Sequence, residues 1–207
     1  LEFASDVSAP TANRHRRWDA GTTSLAAGDT SAVDAADTLA YKCIVELKAF
    51  AKDNYIRGIR GAGNEEMFHL FVTPQQMADL KLDSDFLTNV RQAAIRGPEN
   101  SLFSGSSSLM VDGIMIHEFR HVYNNTGAAT KWGSSSNVNG ARALFCGAQA
   151  LAMADIGLPE IVEDMFDYDN QAGISVSKIF GLRKPKYNAD VTGTVEDFGV
   201  IALDTAQ

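Results

Sequence analysis

Val33, Ala36, Leu39, Ala40, Cys43, Ile44, Leu47, Phe50 and Ala51 recur at the three-and-four spacing of one helix face. Ser31 with Asp34 resembles a capping box ahead of that stripe. The pattern predicts a helix from about residue 32 to 53, lying against a sheet or another subunit. Met67-Phe-His-Leu-Phe-Val72 is apolar on both faces and predicts a buried strand, with His69 as a hydrogen-bonded core residue. Thr73-Pro74-Gln75-Gln76 supplies an N-cap, a proline at the first helical position and a capping-box glutamine. A helix should therefore start at Pro74, and a second one near Asp85 should end before Gly97-Pro98. Farther on, Ala141–Ala150, Gly173–Gly181 and Phe198–Leu203 read as strands.

The segments between these elements are polar or rich in small residues. Residues 1–28 are rich in Ala, Ser, Thr and Gly and read as an extended arm or surface loop, with a basic cluster at Arg14-His-Arg16-Arg17-Trp18. That cluster is expected to be a solvated patch or a subunit contact. Arg57–Gly63 lacks the spacing and ending of a phosphate loop and reads as a turn. Thr126–Gly140 is rich in Gly, Ser and Asn, and is expected to be a mobile or interfacial loop. Asp167–Gly173 superficially resembles a calcium loop. Ala172 stands where the turn glycine is needed and Lys178 where the bidentate Glu is required, so it reads as an acidic turn between strands. The chain divides into an arm or loop (1–28), a helix-strand-helix region (29–100) and a β-rich region (101–207).

Length and composition narrow the function classes. With 207 residues, 45% hydrophobic and 21% charged, the chain can build a real core. Eighteen basic against 26 acidic residues leave a net charge of −8, which argues against nucleic acid as the main partner. Cys43 and Cys146 fit no C-x-x-C pattern and sit in apolar surroundings, as buried free thiols would; one disulfide between them is the alternative. The opening Leu-Glu-Phe-Ala-Ser-Asp lacks the basic and apolar regions of a signal peptide. The longest nearly apolar run, Ala143–Ala154, falls short of the roughly 20 residues that span a bilayer.

One stretch carries candidate chemistry. His117-Glu118-Phe119-Arg120-His121 fits H-E-x-x-H, which on a helix places two zinc ligands (His117, His121) about 6 Å apart, with Glu118 as general base. On a strand the same histidines stand about 13 Å apart and cannot share an ion. Asp112-Gly113 lies between Leu109-Met110-Val111 and Ile114-Met115-Ile116, a strong β-hairpin signal. Gly113 and the β-branched isoleucines also make a poor first helical turn. A third ligand is not evident: Asp155, Glu160 and Glu163 are candidates only because they are acidic. The hairpin is the expected outcome, and a zinc metallohydrolase is the alternative.

Six blocks together resemble a known family. They are Gly97-Pro-Glu-Asn-Ser-Leu-Phe-Ser-Gly105, Asp112-Gly-Ile-Met-Ile-His-Glu118, Ala141–Ala150, Phe166-Asp-Tyr-Asp-Asn-Gln-Ala-Gly173, Ile179-Phe-Gly-Leu-Arg-Lys184 and Asp197–Ala206. Their order is similar to that in the major capsid proteins of tailed bacteriophages related to coliphage N-four. The resemblance implies an α+β fold of the Hong Kong 97 (Johnson) type, with mixed sheets flanked by helices, and a strand without metal chemistry at residues 112–118. It departs where Ser106-Ser107-Ser108-Leu109-Met110 replaces the family's second glycine and tyrosine. Family members also carry a longer N-terminal region, so these residues are expected to be the C-terminal part of a subunit: the axial domain and part of the peripheral domain.

The function implied is structural, with no cofactor and no catalysis. The chain would self-assemble as pentamers and hexamers of an icosahedral head shell, alongside other virion proteins. It would enclose DNA without sequence-specific binding and without a membrane, and would reside in the virion after assembly in the host cytoplasm. Contacts are expected at Arg16, Arg17 and Trp18 of the arm, at Lys131 and Trp132 of the 126–140 loop, and at the Arg183-Lys184 turn.

Overall fold

A computed structural model describes residues 9–61, 65–93, 108–188 and 193–207. The expected helix stop at Gly97-Pro98, the Gly97–Gly105 block, the start of the arm and the end of the Arg57–Gly63 turn lie outside them.

The order of elements is β1 (His15–Asp19), β2 (Ser24–Ala27), α1 (Tyr41–Asp53), β3 (Ile59–Arg60), β4 (Glu66–Val72), α2 (Pro74–Leu82), α3 (Ser84–Ala93), β5 (Ser108–Val111), β6 (Ile114–Glu118) and β7 (Gly140–Cys146). There follow β8 (Ala152–Asp155), β9 (Glu160–Phe166), β10 (Gln171–Ser177), β11 (Phe180–Arg183), β12 (Lys186–Asn188), β13 (Val195–Asp197) and β14 (Val200–Ala206). Eight strands form one mixed sheet in the order β2-β1-β14-β7-β4-β6-β5, with β3 beside β4. The pairs β1–β14 and β4–β6 are parallel and the others antiparallel.

Alternation along the strands gives the sheet two unlike faces. Phe68, Leu70 and Val72 of β4, Ile114 and Ile116 of β6, Phe145 of β7, and Ile201 and Leu203 of β14 point to one side. There they meet Cys43, Ile44, Leu47 and Ala51 of α1, Met77 and Leu80 of α2, and Phe86 of α3. The Phe68 and Phe145 rings stack at 5.0 Å. Burying each such side chain contributes about 1.5–3 kcal/mol, which makes this layer the main source of stability.

The helix at Pro74 starts as the sequence predicts. Thr73 and Gln76 form the reciprocal capping box. Gln76 is fully buried, and its amide reaches onward to Thr205 Oγ1 (2.7 Å) and the Ala141 carbonyl (3.3 Å). The helix expected over 32–53 begins only at Tyr41. Asp37 is the reason: its carboxylate accepts from the backbone N–H groups of Ala20 (2.8 Å) and Asp34 (2.9 Å). The Asp37 carbonyl accepts from Ala206 N–H, and Thr38 bridges Ala206 in parallel. These contacts hold residues 33–38 as a turn at 35–36 followed by the Thr38 bridge to β14, against their helical periodicity. The start of α1 is capped from a distance, by Asp83 accepting from Tyr41 N–H at 2.8 Å.

Other boundaries also move. Of the expected arm, residues 15–27 form a hairpin within the large sheet, fixed by β1 pairing with β14. The strand at Met67–Val72 is fully buried on one face only, since Met67, His69 and Phe71 are half-buried. The strand expected over 141–150 ends at Cys146, where backbone crowds backbone. A Cβ on Gly147 would stand 2.5 Å from the Arg57 carbonyl oxygen, and one on Gly199 2.5 Å from that of Ala148. The strand expected over 173–181 is split into β10 and β11, and the last strand runs 200–206. Within Thr126–Gly140, Trp132 pairs antiparallel with Val138 and packs on Val33 and Ala206, so an apolar anchor fixes this loop inside the subunit.

Candidate assembly surface

The Asp-Gly turn folds as its chemistry demands. Asp112 (φ 47°) and Gly113 (φ 76°) both take the left-handed conformation of a two-residue hairpin, and Lys48 of α1 holds the Asp112 carboxylate at 2.7 Å. His117 consequently lies on strand β6, while Glu118 ends that strand and His121 sits in the turn beyond it, edge-on to Phe119. His117 Nε2 is engaged with His69 Nδ1 at 2.8 Å, and its ring stacks on Phe71. Desolvation, and then the neighbouring His69, hold the His117 imidazole below its ordinary pKa. Among the described residues no three His, Cys, Asp or Glu side chains are placed to share a metal ion. The zinc alternative thus fails on geometry: H-E-x-x-H needs a helix, and these residues are strand and turn.

Among the described residues no layer covers the sheet face opposite the helices. His69 and Phe71 of β4, Met115 and His117 of β6, and Leu144 and Cys146 of β7 are half-buried there. Most of them, with Ala202 of β14, line a groove of about 1340 Å³ whose edge is built by Leu182, Arg183, Lys184 and Lys186. On the same face Asp204, fully buried, accepts from Arg142 at 2.6 and 3.0 Å and lies 2.6 Å from His15 Nε2. Three strands are tied by that carboxylate. Both cysteines are free, and burial pushes the Cys146 thiol up to about 11 and that of Cys43 still further.

Between β7 and β14 the chain leaves the sheet as a ribbon. Strands β8 and β11 pair antiparallel at its base and β9 and β10 beyond them, turning at Asp167, Tyr168 and Asp169, all with positive φ. Of the acidic turn expected at 167–173, residues 167–170 form the turn and 171–173 already belong to β10. Directly opposed residues share a face, so Ile161 with Val176, Glu163 with Ile174, and Met165 with Ala172 make one side of the ribbon. That side is mostly apolar, interrupted by Glu163, and lies in solvent: Met165 is 57% exposed and Ile174 71%. The opposite side is mixed: Glu160, Ser177, Ser175 and Asp164 alternate with exposed Val162 and with Phe166, which lies over Gly173. A two-stranded ribbon is marginal in water by itself, and a cluster of exposed apolar side chains marks an interaction surface. The sequence reading did not single out this ribbon, although the alternation over 161–165 and 172–176 was available to find it.

The residues expected to make contacts fall into two groups. Arg17 reaches Asp19 (3.4 Å) and Asp37 (3.6 Å), Trp18 is 2% exposed in the main core, and Trp132 is 7% exposed in a satellite core. Lys131 is held by the Asn139 side chain. These side chains serve the subunit's own packing. Arg16 lies over the Phe50 ring at 4.4 Å and Lys184 pairs with buried Asp197 at 2.8 Å, while Arg183 is exposed beside the groove. Asp155 pairs with Lys178, and Glu160 and Glu163 are exposed along β9; the three do not converge on His117.

Comparison with known proteins extends over the whole chain. A profile of the family described as phage capsid protein matches residues 2–207. The chain is 55% identical over 211 positions to the major capsid protein of Pseudomonas phage KPP25, covering 100% of this chain and 56% of that one. Its structure is similar to the cyanophage Pam1 capsid asymmetric unit (TM-score 0.70, 20% identity, 94% of this chain and 54% of that chain). It is also similar to the capsid of Ralstonia phage GP4 (TM-score 0.61, 23% identity, 95% and 53%). The chain therefore spans about half the length of the relatives it matches. The structural likeness places the mixed sheets and flanking helices in the Hong Kong 97 type of fold.

Proposed function

Because the chain belongs to the phage capsid protein family, we propose that it is the shell-forming part of a tailed-phage major capsid protein, a structural subunit that self-associates into the icosahedral head and encloses the DNA. The observation that carries this reading is the likeness to a phage major capsid protein along the entire chain. The physical support is the pair of uncovered apolar surfaces, the ribbon and the groove, which suit a subunit that completes its packing against others.

The 207 residues comprise the axial domain and part of the peripheral domain. Copies associate as pentamers and hexamers through heterologous contacts that close into a shell, with other virion proteins added to it. The chain resides in the virion after assembly in the host cytoplasm. A net charge of −8 suits a wall that holds packaged DNA without adsorbing it. No described helix is long and apolar enough to cross a membrane. Of the expected contact residues, Arg183 and Arg16 are the ones with reach beyond the subunit; Trp18 and Trp132 hold the backbone from inside.

Sedimentation and negative-stain imaging of the protein from its native source test the reading, with large closed shells expected and a small monodisperse species counting against it. Arg183→Glu should lower shell yield several-fold while leaving the melting temperature of the subunit unchanged. Lys184→Glu is the less clean variant, since it sets a second carboxylate against buried Asp197.

A further inference from the structure

Resting on the capsid reading, we infer that the β9–β10 ribbon of one copy lies in the sheet-face groove of the next, so that one subunit's acidic, apolar hairpin is the occupant of its neighbour's basic-edged groove. Three observations converge on it. The groove is lined by Phe71 and Leu144 of the sheet and by Leu182, with Arg183 and Lys186 exposed beside Leu182 and Lys184 paired to Asp197. The ribbon offers the complement, a face of Ile161, Met165, Ile174 and Val176 with Glu163 among them, and Asp167 and Asp169 at its tip. The two do not meet within one copy: Tyr168 at the turn is fully exposed, and the seven-residue β9–β10 ladder sets that turn about 20 Å beyond its own base. The base itself, at Leu182, lines the groove. A contact between two different surfaces of identical chains is heterologous and closes into rings when its rotation permits, as five- and sixfold clusters require. Arg183 and Lys186 are like charges beside the groove, and acidic side chains of the ribbon would offset their repulsion.

Cysteine cross-linking in assembled particles tests the contact. Met165→Cys and Leu182→Cys are made separately, each with Cys146→Ser, and the two variants are co-assembled and treated with a short bismaleimide. Cys43 is fully buried and stays silent. The expected result is a covalent dimer in the mixed shells and little in shells of either variant alone. A ladder of higher species is expected when both cysteines are on one chain, because each copy then links to two neighbours. Closed shells without the mixed dimer overturn the contact and leave the capsid reading standing. If no shells or other oligomers form even from the unsubstituted protein, both fall together. A charge swap gives an independent readout: Arg183→Glu should lower shell yield several-fold, and adding Glu163→Lys, on the docking face of the ribbon, on the same chain should restore it. Failure of that restoration, with both variants folded, also counts against the pairing.

Discussion

The covered face of the large sheet and the ribbon that leaves it are built from the same kinds of residue. Phe68, Leu70, Phe145 and Leu203 are apolar strand residues at alternate positions, and so are Ile161, Met165, Ile174 and Val176. The first set is fully buried under α1 and α2; the second stands in water. What differs is where the covering layer lies. For the sheet it lies within this chain, supplied by a helix whose apolar stripe was legible at once. For the ribbon no described residue supplies it, and the proposed source is a neighbouring copy. Periodicity thus reports that a surface is to be covered, not by what.

The sharpest way to test this contrast is to cut a side chain on each side of it. Phe145→Ala removes a ring stacked on Phe68 in the covered layer and should cost about 3–5 kcal/mol, read by denaturant unfolding. A loss below about 1 kcal/mol would mean that the two layers are not closely packed. A smaller effect is expected from His117 on the uncovered face. Its folded pKa is depressed below the ordinary 6.5, so the unfolded chain takes up that proton first. Its contribution to stability is therefore intact above about pH 6.5 and is lost as pH falls from there toward the folded pKa. The melting temperature of the wild type should fall more between about pH 7.5 and 5.5 than that of His117→Gln. Equal falls would show that His117 does not carry the dependence.

Legibility followed the range of the interactions. The Thr73–Gln76 box, the Asp112-Gly113 turn and the acidic turn at 167–170 are settled by residues within a few positions, and the sequence reading found all three. The first half of the helix expected over 32–53 was lost to Asp37 and Thr38, whose partners are Ala20 and Ala206. No local window contains that competition. The basic cluster at 14–18 misled for the same reason: Arg14 finds Glu196, His15 finds Asp204 and Arg17 finds Asp37, so charges that look like a patch in sequence are spent on pairs inside the fold. Trp18 and Trp132, expected as contacts, are buried within the described residues of one subunit, Trp18 in the main core and Trp132 beside Val33 and Ala206. The capsid family was legible from six ordered blocks, whereas the groove was not, because its lining comes from both ends of the chain.

Ile174→Ser is the substitution with the smallest expected effect on the subunit and the most direct bearing on the contrast. Ile174 is 71% exposed opposite Glu163, and its loss removes almost no burial from the isolated chain. Unfolding free energy should change by no more than about 0.5 kcal/mol, as for surface positions generally. Shell yield should nonetheless fall, since the same isoleucine would be buried only between copies. Were Ile174→Ser to destabilise the isolated subunit as a core substitution does, the ribbon would be packed within its own chain in solution. If it left both stability and assembly untouched, the apolar face of the ribbon would have no part in holding the shell, and covered and uncovered strands would differ by more than the location of their partner.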